Sequence, residues 1–541
     1  MAVEGAISSI AAAPAKARRA RAPWPPPFVW IPAALVAGAM VLPLVYLVMR
    51  TLGAGTGAWD LLVRARTLDT LARTTALALS VAGAATAIAV PLAWLTVRSD
   101  LPLRRFWTVL TVLPLVIPSY VGGMLVVVAL GPRGMMQQFL EGPLGVERLP
   151  DIYGFPGALL TLTLLTYPYV LLSVRAALWG LDPALEEASR SLGHGAWTGF
   201  RRVTLPHLRP AIGAGALLVA LYTLSDFGAV SLLRFNSFTR VIFIQYESAF
   251  DRTLAAASSL VLVALALVLL AIEARTRSRS RYYGSTAGST RRPALVRLGR
   301  WRWPAFFFVG AVVSVALAMP MGILGYWVAR GVMAGESLGL VWEVAVKSVY
   351  VSGLAAAATV AAALPIAVLS VRYPGRLSGS LERISHIGFA LPGVVVALSL
   401  VFFAARYVAP VYQTLGILIM AYVLLFLPVA VGTIRASLLQ INPHMEEAAR
   451  SLGRRPLQVF VSVTLPLARP GILAGAALVF LITMKELPAT LILSPLGFKT
   501  LATSTWSAAS AGFFARAAAP ALILIMASSL AVAFLILREE R

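Results

Sequence analysis

Long apolar runs, separated by short polar and arginine-rich segments, dominate the chain. A helix needs about 20 residues to cross the hydrocarbon core of a bilayer, which is ~30 Å thick. Runs of roughly that length fall at 28–49, 74–97, 107–130, 155–178, 211–233, 252–273, 305–328, 348–371, 386–405, 411–433, 471–493 and 517–537. The pattern predicts an all-α polytopic membrane protein with about 12 transmembrane helices. Prolines inside several runs, such as Pro91 and Pro365, predict kinks.

The apolar runs form two tandem six-helix halves, because polar landmarks recur in the same order in each set of six. Arg98 corresponds to Arg372, and Asp226 corresponds to Glu486. Six crossings return the chain to its starting side, so both halves enter the membrane from the same side, as parallel repeats do. We therefore predict a tail over 1–27, a first membrane domain over 28–273, a basic linker over 274–304 and a second membrane domain over 305–541.

The polar segment after the fourth run of each half is the clearest repeat. Residues 181–212 read LDPALEEASRSLGHGAWTGFRRVTLPHLRPAI, and residues 441–472 read INPHMEEAARSLGRRPLQVFVSVTLPLARPGI. The two copies align without a gap, and half of their 32 positions are identical. Each copy is polar and lies between apolar runs, so each is expected to lie outside the lipid.

Residues that favour helix ends recur at the same places in both copies. Asp182-Pro183 and Asn442-Pro443 each place an N-capping side chain before a proline at the first helical position. Carboxylates that complement the helix dipole follow in the opening turns, at Glu186, Glu187, Glu446 and Glu447. Gly193 and Gly453 come where the helix needs a left-handed residue to end it. Each copy thus predicts a helix, a glycine turn and a second short helix that runs to Leu205-Pro206 or Leu465-Pro466.

These residues resemble the EAA loop of the permease subunits of ABC importers. The first copy carries Glu187-Ala188-Ser189, Gly193 and Val203-Thr204-Leu205-Pro206, and the second carries Glu447-Ala448-Ala449, Gly453 and Val463-Thr464-Leu465-Pro466. In that family the loop forms a coupling helix that docks on a cytoplasmic ATPase. The resemblance implies a type I ABC importer permease fold, ATPase subunits as a homodimer and a periplasmic solute-binding protein. It assigns ATPase coupling to Glu186, Glu187, Ala188, Gly193, Leu205, Pro206, Glu446, Glu447, Ala448, Gly453, Leu465 and Pro466.

Composition supports a membrane protein and argues against several other classes. Hydrophobic residues make up 59% of the 541 residues and charged residues 13%, against roughly 25% charged residues in soluble domains. Much of the net charge of +24 lies in the N-terminal tail and between Arg275 and Arg302, where anionic lipid explains it better than nucleic acid. There is no cysteine and no GxxxxGK[ST] phosphate-binding loop. We expect no cofactor, no nucleic-acid partner and no enzymatic activity in this chain.

The arginine distribution predicts the orientation. Starting inside, arginine-rich segments alternate with segments that are mixed or sparse in charge, which by the positive-inside rule places both termini and both repeated loops in the cytoplasm. No apolar core follows the N-terminal basic residues before Phe28, so this segment is expected to be a cytoplasmic tail and not a cleaved signal peptide. The predicted location is a bacterial inner membrane.

Two carboxylates inside the apolar runs are candidate functional residues. Asp226 in LYTLSDFGAV and Glu486 in LITMKELPAT occupy equivalent positions in the fifth run of each half. Charges at membrane depth are costly and usually face a cavity or a partner. The two residues could line a translocation pathway or form a structural pair near the interface, and both readings stay open. The four histidines (His194, His207, His386 and His444) show no metal-site spacing.

Further segments resemble the fused two-domain permeases of ferric-iron importers. They are LPLVIPSYVGG from Leu113, GPRG from Gly131, SDFGA from Ser225 and KELPAT from Lys485. The resemblance implies ferric iron as cargo, although similar permeases carry thiamine, phosphonate, polyamine, sulfate or molybdate. A secondary transporter with parallel repeats is the rival class, and it would need ionisable groups deep in several spans but no docking loop. An integral-membrane enzyme would need a catalytic set, and none is evident.

Overall fold

A computed structural model of the chain describes residues 25–53, 64–247, 252–279, 295–336 and 338–539. Most of the predicted N-terminal tail (1–24), the middle of the predicted linker (280–294) and residues 540–541 lie outside the described residues. The described residues are almost entirely helical, and a single bridge between Ser99 and Val296 is the one β-type pairing among them.

In the first half the helices are α1 (Pro27–Leu52), α2 (Ala65–Arg98), α3 (Arg104–Leu110), α4 (Ser119–Leu130), α5 (Met135–Leu144), α6 (Phe155–Trp179), α7 (Pro183–Ser191), α8 (Ala196–Gly199), α9 (Leu205–Ser225), α10 (Gly228–Leu232), α11 (Phe238–Glu247) and α12 (Arg252–Arg279). A 3₁₀ turn (Leu113–Val116) lies between α3 and α4, and a π turn (Phe200–Thr204) joins α8 to α9.

In the second half they are α13 (Arg302–Val313), α14 (Met319–Met333), α15 (Leu338–Arg372), α16 (Arg376–Ser385), α17 (Gly393–Tyr407), α18 (Leu415–Gln440), α19 (Pro443–Ser451), α20 (Pro456–Val459), α21 (Leu465–Leu467), α22 (Arg469–Lys485), α23 (Pro488–Leu493), α24 (Leu501–Ser510) and α25 (Phe514–Glu539). Further 3₁₀ turns cover Gly299–Trp301, His386–Ala390 and Ala409–Val411, and further π turns cover Ser314–Ala318 and Phe460–Thr464.

The described residues include nine helices that are long and apolar enough to cross a membrane, or up to eleven if each of two sharply bent helix pairs is one span. The apolar part of α25, Phe514–Ser529, overlaps the last predicted run, 517–537. The all-α polytopic class is confirmed, and the count of twelve spans stays a prediction.

The third run of each half is broken and does not form the single helix that its length suggests. In the first half the 3₁₀ turn follows α3, and α4 begins directly after Pro118. In the second half α16 and its following 3₁₀ turn meet α17, which begins after Pro392, at an angle of 103°. A proline has no N–H to donate to the preceding turn and disfavours helix in the residue before it, so the chain changes direction there.

The fifth run of each half is broken at its acidic residue. Helix α9 ends at Ser225, and α10 begins two residues after Asp226. Helix α22 ends at Lys485, and α23 begins two residues after Glu486. The two acids therefore lie at breaks in the helices, and not along their sides.

Within each half, the second, fourth and fifth spans pack together, as α2, α6 and α9 or as α15, α18 and α22. Equivalent glycines allow this close approach. A Cβ on Gly215 would lie 2.7 Å from the Cα of Val170, and one on Gly475 would lie 2.6 Å from Oγ1 of Thr433. Small residues at helix crossings are the usual means by which membrane helices come close.

The halves are interlocked by their outer helices. The first helix, α1, packs on α15, α16 and α17 of the second half, and α12 also contacts α17. From the other side, α14 and α25 contact α4 of the first half. The third span of each half is therefore covered by the first and last spans of the other, and the two halves form a single membrane unit.

Candidate functional site

The two repeated loops have the local structure that their residues predict. Oδ1 of Asp182 accepts a hydrogen bond from the backbone N–H of Ala184 at 2.9 Å, and Oδ1 of Asn442 accepts one from His444 at 3.0 Å. Both side chains therefore cap their helices, α7 and α19. Gly193 and Gly453 each have φ +81°, the left-handed conformation expected at the helix end.

The second helix of each loop does not stop at the Leu-Pro pair, contrary to the expectation. In the first copy a π turn leads directly into Leu205, and α9 then continues to Ser225. In the second copy α21 ends at Leu467, and the chain bends by 68° into α22. In both copies a π turn lies directly before the Leu-Pro pair. A π turn shifts the backbone hydrogen bonds by one residue, so a proline, which has no N–H to donate, is accommodated and the helix continues past it.

Glu446 is buried and ties the second loop to the membrane domain. Nε of Arg372, at the end of α15, donates to Oε1 of Glu446 at 2.9 Å, and the Thr464 hydroxyl donates to the same oxygen at 3.0 Å. The Arg372 guanidinium also donates to the Ile441 carbonyl at 3.3 Å. Glu447 is exposed instead and contacts Nδ1 of His444 at 2.7 Å.

Arg98 has the corresponding place in the first half. It is buried at the end of α2 and donates to the carbonyl oxygens of Leu178 and Leu181, at 2.9 and 3.3 Å. Leu181 and Ile441 are equivalent positions in the repeat. Each loop therefore has its own arginine, Arg98 or Arg372, which donates a hydrogen bond to the first residue of the loop. Sequence reasoning noted the Arg98–Arg372 equivalence but not this anchoring role. The side chain of Glu186 lies outside the described side chains.

The described end of the linker pairs with the chain beside Arg98. The Val296 N–H donates to the Arg98 carbonyl at 2.8 Å, and the Asp100 N–H donates to the Val296 carbonyl at 3.2 Å. Oδ1 of Asp100 accepts a hydrogen bond from the Leu298 N–H at 2.8 Å. The end of the linker is therefore hydrogen-bonded beside Arg98, the residue that anchors the first repeated loop.

Both loops expose large apolar side chains among their charged residues. Leu192 and Leu452, directly before the two glycines, are 77% and 84% exposed, and Trp197 is 71% exposed. Ala188 and Ala448 are also exposed, whereas Ser189 and Ala449 are buried. Small residues fill the buried positions, which explains why serine can replace alanine there. Leu205, Pro206, Leu465 and Pro466 are half-buried at the join to the membrane helices.

Breaking the Arg372–Glu446 pair should destabilise the protein. Arg372→Ala leaves the buried Glu446 carboxylate with the Thr464 hydrogen bond and a longer contact of 3.8 Å to Arg450. Removing one partner of a buried ion pair typically costs roughly 3–5 kcal/mol, and we expect the lower end of that range because these two contacts remain. Glu343→Ala is the matched control, because its ion pair with Lys347 is exposed and such pairs contribute about 0–1 kcal/mol. Thermal unfolding of the purified variants should show a clear drop in melting temperature for Arg372→Ala alone. Equal drops would mean that the buried pair has no special structural role.

Asp226 and Glu486 line one cavity of about 1100 Å³ between the two halves. The Asp226 carboxylate accepts hydrogen bonds from the N–H groups of Ala229 and Val230, at 3.1 and 3.2 Å, and the Glu486 carboxylate accepts one from Ala489 at 3.3 Å. Both acids thus cap the short helix that follows them, and both face the same space. The two readings left open by the sequence are therefore compatible.

Asp226 has a shorter side chain than Glu486, and the residues that face the two carboxylates differ in size in the opposite sense. Ser119, after Pro118, lies beside the shorter Asp226, and its repeat equivalent, after Pro392, is Gly393. A Cβ on Gly393 would lie 2.5 Å from Oε1 of Glu486. The longer acid faces the smaller residue, so both carboxylates fit between the fifth and third spans.

The cavity wall also carries a lysine and several tyrosines. Nζ of Lys485 donates to the Leu115 carbonyl of the other half at 3.4 Å. Tyr120, Tyr169 and Tyr222 line the same space. Within the described residues no group of three or more His, Cys, Asp or Glu side chains could hold a metal ion. His386 also lines the cavity, whereas the other three histidines lie in the repeated loops.

Comparison with known proteins agrees with this arrangement. The family described as binding-protein-dependent transport system inner membrane component matches the chain twice, over residues 80–282 and 359–538. The Fe(3+)-transport system permease protein FbpB 2 of Haemophilus influenzae is 36% identical over 505 residues, which cover 92% of this chain and 96% of that protein.

Two further relatives are similar over less of the chain. The ferric transport system permease protein FbpB of Actinobacillus pleuropneumoniae is 26% identical over 408 residues, 71% of this chain and 58% of that protein. The molybdenum transport system permease protein ModB of Escherichia coli K12 is 36% identical over 137 residues, 25% of this chain and 58% of that protein. The double family match and the full-length relative establish that this chain belongs to the binding-protein-dependent inner membrane components, the permease subunits of ABC importers, as a fused two-domain member.

Proposed function

We propose that the chain carries ferric iron across a bacterial inner membrane, as the permease of an importer that receives its cargo from a periplasmic binding protein. The observation that carries this proposal is the 36% identity to an Fe(3+)-transport permease along 92% of the chain. The transport class itself rests on the family and on the duplicated loop. Two domains, over 28–273 and 305–541, are proposed to rock against each other around the shared cavity.

The two repeated loops are proposed to couple this motion to ATP hydrolysis in a homodimeric cytoplasmic ATPase. Their exposed faces support this role, because Leu192, Leu452 and Trp197 have no cover within the described residues and adjoin exposed alanines. The buried anchors support it as well, because Arg98 and Arg372, at the ends of the second spans, donate hydrogen bonds to the start of each loop. A movement of the ATPase that displaces a loop would therefore also displace the second span of the same half.

The cargo proposal is tested by uptake in cells that express this permease together with an ATPase and a binding protein that associate with it. We expect radioactive ferric iron to accumulate, and molybdate to leave its uptake unchanged. Molybdate is the second candidate because ModB matches part of the chain. Uptake of labelled molybdate without uptake of iron would overturn the iron assignment while leaving the permease class intact.

Both termini and both loops are proposed to be cytoplasmic, which cysteine labelling can test. The chain has no cysteine, so an impermeant thiol reagent reacts only with introduced ones. Gly142→Cys should be labelled in intact cells because a Cβ there meets open space and the position follows an odd number of predicted spans. Arg300→Cys, also at an exposed position, should be protected until the membrane is opened. The reverse pattern would invert the topology and remove the loops from the cytoplasm.

A further inference from the structure

Four arginines lie on two short segments near the anchor of the first repeated loop. Arg104 and Arg105 begin α3. Arg300 lies in the 3₁₀ turn Gly299–Trp301, and Arg302 begins α13. These side chains are exposed or half-buried, and none of the four forms an ion pair within the part of the chain that the structure describes.

Contacts at both ends hold the two segments side by side. At one end, the Leu298 N–H donates to Oδ1 of Asp100 at 2.8 Å. At the other end, the rings of Trp107 and Phe306 pack edge to face, with 5.4 Å between their centroids. Both pairs of arginines lie between these two contacts along the chain. The four arginines therefore form one surface region, the arginine patch.

The neighbouring sequence offers no acid that could neutralise the arginine patch. Residues 101–140 and 274–335 contain no aspartate or glutamate. The carboxylate of Asp100 already accepts the hydrogen bond from Leu298. Because no ion pair reaches the patch from any other described residue either, its charge has to be balanced by an anionic partner.

Exposed aromatic rings beside the arginines indicate that the arginine patch lies at the lipid surface. Trp301 and Trp303 are each 62% exposed, and Phe106 is 54% exposed. Tryptophan is enriched where the hydrocarbon of a bilayer meets the headgroups. The apolar segment that begins at Gly299 is long enough to cross a membrane. The patch therefore lies at the start of a span, at the depth of the lipid headgroups.

We propose that the arginine patch binds the phosphate headgroups of anionic phospholipids on the side of the membrane that carries the repeated loops. Guanidinium groups pair with phosphate oxygens through two parallel hydrogen bonds, and anionic lipid attracts basic residues beside a span. The patch adjoins the anchor of the first loop, because the Val296 N–H donates to the Arg98 carbonyl at 2.8 Å. We expect bound lipid to steady the linker end at that anchor. The site is independent of the cargo.

Native mass spectrometry of the purified full-length permease tests the site, because it counts bound lipid molecules. We expect saturable binding of dioleoylphosphatidylglycerol, which is anionic, roughly tenfold or more tighter than that of dioleoylphosphatidylcholine, which has no net charge. Arg105→Gln, Arg300→Gln and Arg302→Gln together should remove most of this preference. Each basic residue near an anionic lipid surface contributes about fivefold in affinity, or ~1 kcal/mol.

The matched control removes the same charge from segments near the ends of the third spans, which the predicted topology places on the opposite side of the membrane. Arg133→Gln, Arg148→Gln and Arg406→Gln together change three exposed arginines and should leave the preference for the anionic lipid intact. Lysine at the three patch positions should retain most of it, since the charge remains. Misfolding would weaken the binding of both lipids alike, so the ratio of the two affinities isolates the effect of charge. Equal affinity of the parent for the two lipids, or the same ratio in the two triple glutamine variants, would overturn the lipid site.

Discussion

Transport should fall to background when valine replaces both Gly193 and Gly453. Each glycine has φ +81°, and a Cβ at either position would meet no atom within 4 Å. The added strain therefore comes from the backbone and not from a clash. A left-handed residue with a Cβ costs roughly 1–2 kcal/mol, more for a β-branched side chain, so two substitutions should lower the combined equilibrium constant for correct folding of the loops roughly 30-fold or more. ATP-driven uptake and co-purification of the ATPase are the measurements.

Two controls separate coupling from stability. Gly145→Val imposes similar strain, at φ +63° and again in open space, but lies outside the repeated loops. It should leave uptake near the parental rate. Gly193→Asn with Gly453→Asn should retain much of the activity, because asparagine tolerates the left-handed region. Parental uptake by the double valine variant would remove the loops from the coupling role.

Uptake should fall about tenfold or more when Asp226→Asn is combined with Glu486→Gln. The amides keep an oxygen that can accept the capping hydrogen bonds from Ala229 and Ala489, so the short helices stay capped and only the charges are lost. A tenfold effect corresponds to about 1.4 kcal/mol. Two unit charges 4 Å apart at an effective dielectric constant of 20 interact by about 4 kcal/mol. The loss of two carboxylates on a cation's path is sufficient to produce the effect.

Assembly of the complex is the control for this variant. The ATPase and binding protein should still associate with the double amide variant, because neither acid lies in the repeated loops. Asp226→Ala with Glu486→Ala should disturb assembly more than the amide pair, since alanine also removes the caps. Iron uptake at the parental rate in the amide variant would reduce both acids to a structural role.

The parts of this arrangement that depend on neighbouring residues could be predicted from the sequence. Asp182 and Asn442 cap their helices because each side chain reaches an N–H two residues ahead. Gly193 and Gly453 adopt a left-handed conformation because the preceding helix must end there. The repeat itself placed Asp226 and Glu486 at equivalent positions, and both line one cavity.

The parts of the structure that depend on contacts between distant segments could not be predicted from the sequence. Arg372 and Glu446 are 74 residues apart, and only the folded chain brings them to 2.9 Å. The contact of α1 with the second half also has no local signal, because an apolar helix can pack on any apolar neighbour. The breaks at Asp226 and Glu486 lie within otherwise continuous apolar runs, where periodicity alone predicts one helix.

The most direct test is to measure iron flux in proteoliposomes that contain this permease and its ATPase. ATP is supplied on the side of the membrane that carries the repeated loops, and iron-loaded binding protein is supplied on the opposite side. Iron should accumulate only with ATP and binding protein, and the double valine variant at Gly193 and Gly453 should abolish accumulation while Gly145→Val does not. Iron entry that is independent of ATP, or that is equal in the parent and the double valine variant, would contradict coupled transport through the two loops.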